Sequence, residues 1–543
     1  MLSLGTSPSR APGALAVLML GACVAPCLAA QEFVKYLGIG SDRWIANGVG
    51  DLNGDGFGDF VVTKVSPPPP PALHAQALTG PSGSLLYDWA PALPSMNGYQ
   101  PAPSLSGAVD LDQDGLPDVI LTHVNYMATG LEVRSGADGS VLSILDPGLL
   151  WPGPISGIRN VAVAGDVNGD GVPEVIVTGS PWGAWYGVKV LSGPNLVELY
   201  SYGPTYGERL GEDADGLEDV DGDGLRDFFI TAPEADVPAL NAGRLDVYSG
   251  GTGLLIASLT GSSWGQSLGR GAAALEDVDG DGTPEIAITD YFPNGFGYQP
   301  ARTRVLSAAT FSVLYVVPPG GLPERLDDAD GDGIDDFIVH DWMTGGVAAY
   351  SGATGAFIGG SAGSYHYAGV GDVNGDGLGD YATQHYSTTF PPVGPPGLPE
   401  SLFWSGLTGD SNPQPFEAAI YVAPNFRLTA PATVGGAASL SVLAPKHPGK
   451  AFQIVLSTEG LFPGTPLGPF LFPLGQTPLL YGSIAAGYGG VLDASGRGSL
   501  TLPIPNVPSL QNFVVRASGW VIDPSAAPLP IACILTRLAI PIQ

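Results

Sequence analysis

An acidic nine-residue motif recurs seven times in this chain of 543 residues, and the repetition restricts the folds that the chain can adopt. Each copy begins with Asp, has Asp or Asn at position 3, Asp at position 5 and Gly at position 6, and ends on Asp or Glu. The copies are DLNGDGFGD from Asp51, DLDQDGLPD from Asp110, DVNGDGVPE from Asp166, DVDGDGLRD from Asp219, DVDGDGTPE from Asp277, DADGDGIDD from Asp328 and DVNGDGLGD from Asp372.

A second motif keeps step with the first, which defines seven units of about 50 residues. In the third unit, NVAVAGDV leads into the acidic motif, EVIVTG leads out of it, and GVKVLSG and VELYSY flank the second turn. Such alternation predicts four short strands per unit. The second motif reads LTGPSGSLL, VRSGADGSVL, VLSGPNLVEL, VYSGGTGLLI, VLSAATFSVL, AYSGATGAFI and FWSGLTGD.

Seven units of four strands indicate a β-propeller, for which four to eight four-stranded blades are usual. A linear β-solenoid is the alternative, although its repeats are usually shorter. The segment EFVKYLGIG precedes the first unit, at the place where other units have their fourth strand. We predict that this segment completes the last blade and closes the ring.

The charge balance excludes two classes of partner. The chain has 52 acidic and 20 basic residues, a net charge of −32, so it should be repelled by nucleic acid and by anionic lipid. Its 80 glycines and 52 prolines, with 44% hydrophobic residues, suit strands and turns and argue against disorder.

The first thirty residues read as an export signal, because a long run of apolar and small residues follows Arg10 and ends in two alanines. We therefore expect a secreted or extracytoplasmic protein. The string LGAC offers the alternative of a lipid anchor on Cys23. No later segment is apolar for long enough to span a bilayer. Cleavage near Ala30 would leave Cys533 as the single cysteine, without a disulfide.

The acidic motif is not a helix–loop–helix calcium hand. That loop requires Glu at position 12 and a helix after it, whereas position 12 is here an aliphatic residue or Thr within a strand-like run: Val62, Leu121, Val177, Ile230, Ile288, Val339 and Thr383. Calcium itself remains the expected ligand, because several hard oxygen donors meet in each copy and neither His nor Cys joins them. The alternative is that Asp and Asn merely favour turns.

The units resemble FG-GAP repeats, the blades of the N-terminal propeller of integrin α-subunits, which also occur in exported bacterial proteins. The likeness covers about residues 32–412 and is best in YGERLGEDADGLEDVDGDGLRDFFITAPEAD, from Tyr206, and WGQSLGRGAAALEDVDGDGTPEIAIT, from Trp264. Two features depart from the family pattern: the literal FG and GAP residues are degenerate in most units, and integrin propellers carry the acidic loop in only some blades.

The resemblance implies calcium ligands at positions 1, 3, 5 and 9, with a backbone carbonyl at position 7, and up to seven Ca²⁺ ions. The implied side-chain ligands are Asp51, Asn53, Asp55 and Asp59; Asp110, Asp112, Asp114 and Asp118; Asp166, Asn168, Asp170 and Glu174; Asp219, Asp221, Asp223 and Asp227; Asp277, Asp279, Asp281 and Glu285; Asp328, Asp330, Asp332 and Asp336; and Asp372, Asn374, Asp376 and Asp380.

The fold class predicted is all-β: a seven-bladed β-propeller of four-stranded blades with Ca-binding hairpin loops, followed by a small β-sandwich. The predicted divisions are a signal peptide at 1–30, the propeller at 31–412, a linker at 413–422 and the C-terminal domain at 423–543. The last division rests on apolar alternation, as in AASLSVLAP and AFQIVLSTEG.

We expect a non-catalytic recognition or adhesion module, not an enzyme. The two GxSxG strings, GSSWG and GGSAG, fall between predicted blades rather than at a strand–helix elbow.

Aromatic residues gather in loops of the face opposite the acidic motifs, where they suit a glycan or an extracellular protein ligand. They are Trp151, Trp182, Trp185, Tyr186, Tyr206, Trp264, Tyr291, Phe292, Trp342, Tyr365 and Tyr367. The alternative is a polysaccharide lyase or hydrolase. We expect a monomer.

Overall fold

The computed structural model describes most of the chain from Glu32 onwards. The predicted signal peptide, Cys23 and the FWSGLTGD turn lie outside the described residues. These are 32–36, 43–65, 73–80, 83–89, 100–101, 109–124, 129–145, 157–182, 185–290, 301–341, 346–361, 364–385, 417–422, 426–430, 432–457, 460–467, 470–474, 478–511, 514–525 and 531–542.

The strands of residues 32–422 form seven four-stranded antiparallel sheets. In sheets 1 to 6, four consecutive strands pair in chain order. Sheet 1 holds β2 (Arg43–Gly50), β3 (Asp59–Val65), β4 (Leu73–Leu78) and β5 (Leu85–Trp89); sheet 2 holds β6 (Gln100–Pro101), β7 (Val119–Val124), β8 (Thr129–Arg134) and β9 (Val141–Leu145); sheet 3 holds β10 (Gly157–Gly165), β11 (Glu174–Trp182), β12 (Trp185–Ser192) and β13 (Val197–Tyr206). Sheet 4 holds β14 (Ala214–Leu217), β15 (Asp227–Ala232), β16 (Arg244–Tyr248) and β17 (Leu255–Thr260); sheet 5 holds β18 (Ala272–Leu275), β19 (Glu285–Asp290), β20 (Ala301–Ser307) and β21 (Val313–Gly320); sheet 6 holds β22 (Leu322–Leu326), β23 (Asp336–Asp341), β24 (Gly346–Tyr350) and β25 (Phe357–Ser361).

Sheet 7 is built from two distant parts of the chain. Its strands are β26 (Ser364–Gly371), β27 (Asp380–His385), β28 (Glu417–Val422) and β1 (Glu32–Tyr36). β1 pairs antiparallel with β28, from Glu32 opposite Val422 to Tyr36 opposite Ala419. The prediction that the N-terminal segment completes the last sheet is therefore confirmed.

One strand of sheet 7 lies in the segment 413–422 that we predicted as a linker. β28 pairs with β27 from Tyr381 opposite Tyr421 to His385 opposite Glu417. Proline has no N–H to donate to a strand ladder, and prolines crowd the stretch that follows β27. The strand that pairs with β27 therefore comes after these prolines, in EAAIYV.

Neighbouring sheets pack side by side, and the last sheet returns to the first. Contacts join β10 to β14, β14 to β18, β18 to β22, β22 to β26 and β26 to β2, while β3 meets β6 and β8 meets β10. The backbone approach is close at the junction of sheets 7 and 1, where a Cβ on Gly48 would lie 2.5 Å from the Cα of Val370. This ring of radial four-stranded sheets is the arrangement of a β-propeller.

Apolar residues between consecutive sheets form the core of the ring. The second strands β15 and β19 are buried along their whole length, because a neighbouring sheet covers each of their faces. Tyrosines of the fourth strands also link sheets: the hydroxyl of Tyr87 donates to the carbonyl oxygen of Gly136 at 2.9 Å, and that of Tyr200 to the carbonyl oxygen of Gly250 at 2.7 Å.

Residues 426–542 form a separate β-rich part, here called the C-terminal part. Its sheets are β29 (Phe426–Ala430), β30 (Ala437–Leu443) and β35 (Arg497–Pro503); β34 (Gly489–Val491), β31 (Ala451–Ser457), β36 (Val514–Ile522) and β37 (Ile531–Pro541); and β32 (Gly460–Leu467) with β33 (Phe470–Leu474). The first two sheets share one apolar core that includes Phe426, Phe452 and the free thiol of Cys533.

The C-terminal part also contains helical segments that the sequence analysis did not predict. They are helix α1 (Pro478–Ala486) and a short 3₁₀ turn at Pro508–Leu510. Among the described residues, no helix has the length and apolar content required to cross a lipid bilayer.

The pairing of β1 with β28 yields a stability prediction. Deleting Glu32–Tyr36 leaves sheet 7 with three strands and an open edge, so we expect the melting temperature to fall by more than about 5 °C. Lys35→Thr, which keeps the backbone pairing, is the control and should melt within about 1 °C of the wild type. Equal melting of the deletion variant and the wild type, followed by circular dichroism, would show that β1 does not hold the ring closed.

Candidate metal centres in the acidic loops

The seven acidic motifs occupy the same place in the seven sheets: each joins the first strand to the second. Since antiparallel strands alternate in direction, these loops all lie on one face of the ring, here called the acidic face. In chain order they are loop 1 (51–59), loop 2 (110–118), loop 3 (166–174), loop 4 (219–227), loop 5 (277–285), loop 6 (328–336) and loop 7 (372–380).

The backbone of every loop wraps around its first side chain in the same way. In loop 5, the Asp281 N–H donates to Oδ1 of Asp277 at 3.0 Å and to Oδ1 of Asp279 at 3.1 Å, and the Gly282 N–H donates to Oδ2 of Asp277 at 2.8 Å. The bond from position 6 to position 1 recurs at 2.7 to 2.9 Å in all seven loops. These bonds turn the carboxylates of positions 1 and 3 towards the inside of the loop.

The glycine at position 6 is required by the backbone. Its φ lies between 87° and 92° in all seven loops, a conformation that side chains other than glycine rarely adopt. The invariant Gly that the sequence shows is therefore a consequence of the tight wrapping around position 1.

Position 9 carries a buried carboxylate in each loop. The side chain is at most 1% exposed at all seven positions: Asp59, Asp118, Glu174, Asp227, Glu285, Asp336 and Asp380. One of its oxygens accepts the N–H of position 2 at 2.7 to 3.0 Å. A single backbone bond does not replace the water that such a carboxylate loses on burial.

The cost of this burial is visible in the pKa values. Burial, assisted by the neighbouring acidic residues of the loop, raises the pKa of Asp59 to about 7, that of Glu285 to about 7 and that of Asp336 to about 8. Burial raises the pKa of Asp118 to about 6. At neutral pH, a substantial fraction of Asp59, Glu285 and Asp336 therefore retains a proton unless a cation lies nearby.

A hydroxyl group lies beside most of the loops, and the sequence analysis missed it. The first residue of the second turn stands opposite position 9 in the sheet register, as with Ser192 opposite Glu174 and Ser307 opposite Glu285. Ser192 Oγ lies 3.3 Å from Nδ2 of Asn168, and Thr79 Oγ1 lies 3.5 Å from Oδ2 of Asp55. The signal was present: the Ser or Thr of the second motif keeps step with the acidic motif.

The residue after that hydroxyl supports the short carboxylate at position 9. Where position 9 is Asp, the next residue is Gly in four sheets, and its N–H donates to the carboxylate; Gly250 to Asp227 at 2.9 Å and Gly352 to Asp336 at 2.9 Å are examples. A Cβ on Gly352 would lie 1.9 Å from the carbonyl oxygen of Asp335. The SG pair of the second motif is thus part of the loop structure.

Several implied ligands meet within reach of one ion. The groups whose ligand atoms all lie within 4.8 Å of one another are Asp110, Asp112 and Asp118; Asp219, Asp221 and Asp227; Asp277, Asp279 and Glu285; and Asp328, Asp330 and Asp332. In loops 1, 3 and 7 an Asn holds position 3, and its Oδ1 makes the bond to position 5 that Asp makes elsewhere. The sequence-predicted residues therefore occupy equivalent places in all seven loops.

Loop 5 supplies an independent test of whether a cation fits. Oε1 of Glu285 is fully buried and has no hydrogen-bond partner among the described residues. Two buried hydroxyls next to loops 4 and 5, Ser249 Oγ and Ser307 Oγ, are also without a partner among those residues. Unpaired oxygen atoms beside clustered carboxylates suit a hard cation such as Ca²⁺, so the residues present fit the ion.

The opposite face only partly matches the aromatic surface that we predicted. Trp185, Tyr206 and Trp264 are exposed at 41%, 69% and 61%, whereas Tyr186 and Tyr367 are buried. Side-chain positions of the remaining predicted aromatics lie outside the described residues. Ser263, within GSSWG, lies in the connection between β17 and β18, with a strand on each side.

Comparisons with known proteins agree with the repeat. Residues 109–177 match a family model described as an FG-GAP-like repeat. None of the curated protein sequences that were compared matched the chain. Two solved structures are similar: the BBS1N domain in complex with ARL6DN, soaked with lead (11% identity, TM-score 0.43, covering 74% of this chain and 98% of that one), and the Dos1 propeller (10% identity, TM-score 0.35, covering 60% and 71%). Residues 109–177 thus carry an FG-GAP-like repeat, as predicted.

The raised pKa values of position 9 predict an unusual pH dependence for the metal-free protein. The pKa values of these groups are near 7 to 8 in the folded state and near 4 in the unfolded state. Their contribution to the free energy of unfolding is therefore greatest below pH 4 to 5 and is lost as the pH rises to 8. We expect metal-free protein to be less stable at pH 8 than at pH 5 by at least about 1 kcal/mol. Urea unfolding at both pH values is the measurement.

Matched variants locate the effect. Asp336→Asn should reduce this pH dependence, because one of the contributing groups no longer titrates. Asp138→Asn, which alters an exposed carboxylate of the second turn, should leave it unchanged. Equal pH dependence in Asp336→Asn and in the wild type would contradict the assignment of the effect to position 9.

Proposed function

We propose that the protein is an exported, seven-bladed, calcium-binding propeller that acts as a non-catalytic recognition module, and that its C-terminal part is a β-sandwich. The observation that carries the proposal is the buried carboxylate at position 9, which recurs in all seven loops beside further acidic oxygens. Export rests on the signal-like first thirty residues.

Calcium would be held by the carboxylates and amide oxygens at positions 1, 3, 5 and 9 of the loops. When bound, the ion supplies the positive charge that a cluster of carboxylates requires: two carboxylates 4 Å apart repel by about 4 kcal/mol at an effective dielectric constant near 20. The chain's own residues place these oxygens, since the wrapped backbone fixes positions 1, 3 and 5 and the sheet register fixes position 9. The loops thereby stabilise the hairpins of the ring.

The opposite face offers the recognition surface. At the end of sheet 3, the rings of Trp185 and Tyr206 lie 5.5 Å apart, edge to face, and both are exposed. Trp264, Val237 and Leu240 are exposed on the neighbouring sheet 4 and its connection. Exposed aromatic rings at strand ends and in the connections between strands suit sugar stacking or a protein hot spot.

Ion pairs hold the connection between β13 and β14, which follows Tyr206 directly. Glu212 accepts from Arg159 at 2.7 Å and from Arg209 at 2.9 Å, and Arg209 also reaches Glu234 at 3.1 Å. Arg159 in turn lies over the ring of Tyr186, 5.4 Å from its centre. These pairs tie the connection between sheets 3 and 4 to its neighbours, which pre-organises the surface for a ligand.

Calcium binding has a direct stability test. For an ion present at 100 times its dissociation constant, each site adds about 2.7 kcal/mol to the free energy of unfolding, so 1 mM CaCl₂ should raise the melting temperature of metal-free protein. Asp281→Asn should reduce this gain and Asp138→Asn should not. An unchanged melting temperature, with no ion retained after dialysis, would refute the calcium proposal.

Recognition on the opposite face has a separate test. Trp185→Ala and Trp264→Ala should each weaken binding by about tenfold, measured against a panel of soluble polysaccharides and extracellular matrix proteins. Leu254→Ala is the matched control, because Leu254 is 69% exposed but belongs to the turn on the acidic face. Release of oligosaccharide from any member of the panel would favour the alternative, a polysaccharide lyase or hydrolase, over recognition.

A further inference from the structure

Loop 7 has the same sequence pattern as the other loops but a different environment. Asn374 is 7% exposed and Asp376 is fully buried, whereas the fifth residue of each of the other six loops is exposed. The internal hydrogen bonds of loop 7 are nevertheless the same as elsewhere: the Asp376 N–H donates to Oδ1 of Asp372 at 3.0 Å and the Gly377 N–H donates to Oδ2 of Asp372 at 2.9 Å. The burial of Asn374 and Asp376 is therefore caused by residues outside loop 7 that cover it, not by a different loop conformation.

The segment between β30 and β31 of the C-terminal part covers loop 7. The Lys446 ammonium lies 3.4 Å from Oδ2 of Asp372 and donates to the carbonyl oxygen of Gly56 in loop 1. The next residue, His447, places its Nε2 2.6 Å from the carbonyl oxygen of Gly375. A fixed positive charge thus reaches the position-1 carboxylate of loop 7, the residue around which each loop is wrapped.

The main chain of this segment also lies against the loop. A Cβ on Gly377, the position-6 glycine, would lie 2.8 Å from the backbone nitrogen of Lys446. In loops 1, 2, 4, 5 and 6 no described atom lies within 4 Å of a Cβ placed on the position-6 glycine, and in loop 3 the nearest atom belongs to the side chain of Gln113, at 3.4 Å. The position-6 glycine of loop 7 is consequently covered by backbone, which cannot move aside as a side chain can.

Contacts to the neighbouring loops extend the same interface. Arg497 donates from Nη2 to the carbonyl oxygen of Gly331 in loop 6 at 3.0 Å, and Leu443 packs in the apolar cluster that includes Leu378 of loop 7. On the other side, Phe57 of loop 1 packs against the cluster formed by Val455, Leu474 and Leu480. The C-terminal part therefore covers three consecutive loops, with loop 7 at the centre.

We propose that loop 7 is the docking site of the C-terminal part, and that Lys446 is its fixed cation, so that loop 7 takes no calcium ion while the C-terminal part is docked. The ammonium offsets part of the negative charge that calcium offsets elsewhere, and the covering backbone removes the open side through which an ion and its waters would enter. The ion count in this inference rests on the proposed calcium function; the docking role of Lys446 does not.

The first experiment counts ions by equilibrium dialysis of the full-length protein with ⁴⁵Ca²⁺. Asp281→Asn in loop 5 and Asp114→Asn in loop 2 should each bind one ion fewer than the wild type, whereas Asp376→Asn in loop 7 should bind the same number. One ion fewer in Asp376→Asn would overturn the inference and leave the calcium function intact. No ion in the wild type would refute the calcium function instead, and with it the ion count.

The second experiment tests the docking without any metal. In metal-free wild type, the backbone amides of loop 7 should exchange hydrogen at least tenfold more slowly than those of loop 5, followed by mass spectrometry of peptides spanning each loop. Lys446→Met should remove most of this difference. Lys450→Met is the matched control, because Lys450 pairs with Asp523 within the C-terminal part at 2.9 Å. Unchanged protection of loop 7 in Lys446→Met would overturn the docking role of Lys446.

Discussion

The ring buries a carboxylate at the start of the second strand of every sheet, and the surrounding structure is arranged around that charge. Its oxygens receive a backbone N–H from position 2 and, in four sheets, a second from the glycine of the neighbouring turn. Because these bonds do not replace full hydration, burial raises the pKa of Asp59, Glu285 and Asp336. Because every acidic loop contains such a carboxylate, the groups that a cation would stabilise in this strongly acidic chain lie together on one face of the ring.

Antiparallel pairing separates these loops from the proposed recognition surface. The loops between first and second strands and the turns between third and fourth strands share the acidic face, while the other connections emerge on the opposite side. Trp185, Tyr206 and Trp264 are exposed there, at a distance from the carboxylate clusters. Under the proposed function, changes in the opposite loops would alter the ligand without disturbing the acidic loops.

Sequence periodicity predicted the parts of the structure that repeat. Two linked motifs were enough to predict four strands in each of sheets 1 to 6, the acidic loops and the closing strand Glu32–Tyr36, because each depends on local pattern and sheet register. They did not place β28, which lies in the segment predicted as a linker. The hydroxyl of Ser192 was overlooked because the second motif was interpreted as a turn alone. Helix α1 lies in the C-terminal part, outside the repeats. Tyr186 and Tyr367 are buried between neighbouring sheets of the ring, and the motifs do not specify which side chains fill that space. The contact of Lys446 with Asp372 joins the C-terminal part to the ring.

Loop 7 shows why identical motifs need not be equivalent sites. DVNGDGLGD has the same acidic and glycine positions as the other copies, yet it lies beside the junction where the N-terminal strand completes sheet 7. A ring closed by pairing of distant segments is most easily opened at that junction, since no covalent connection joins β1 to β28. The C-terminal part contacts loops 6, 7 and 1, so it bridges the two sides of this junction. Contacts on both sides of the junction oppose its opening.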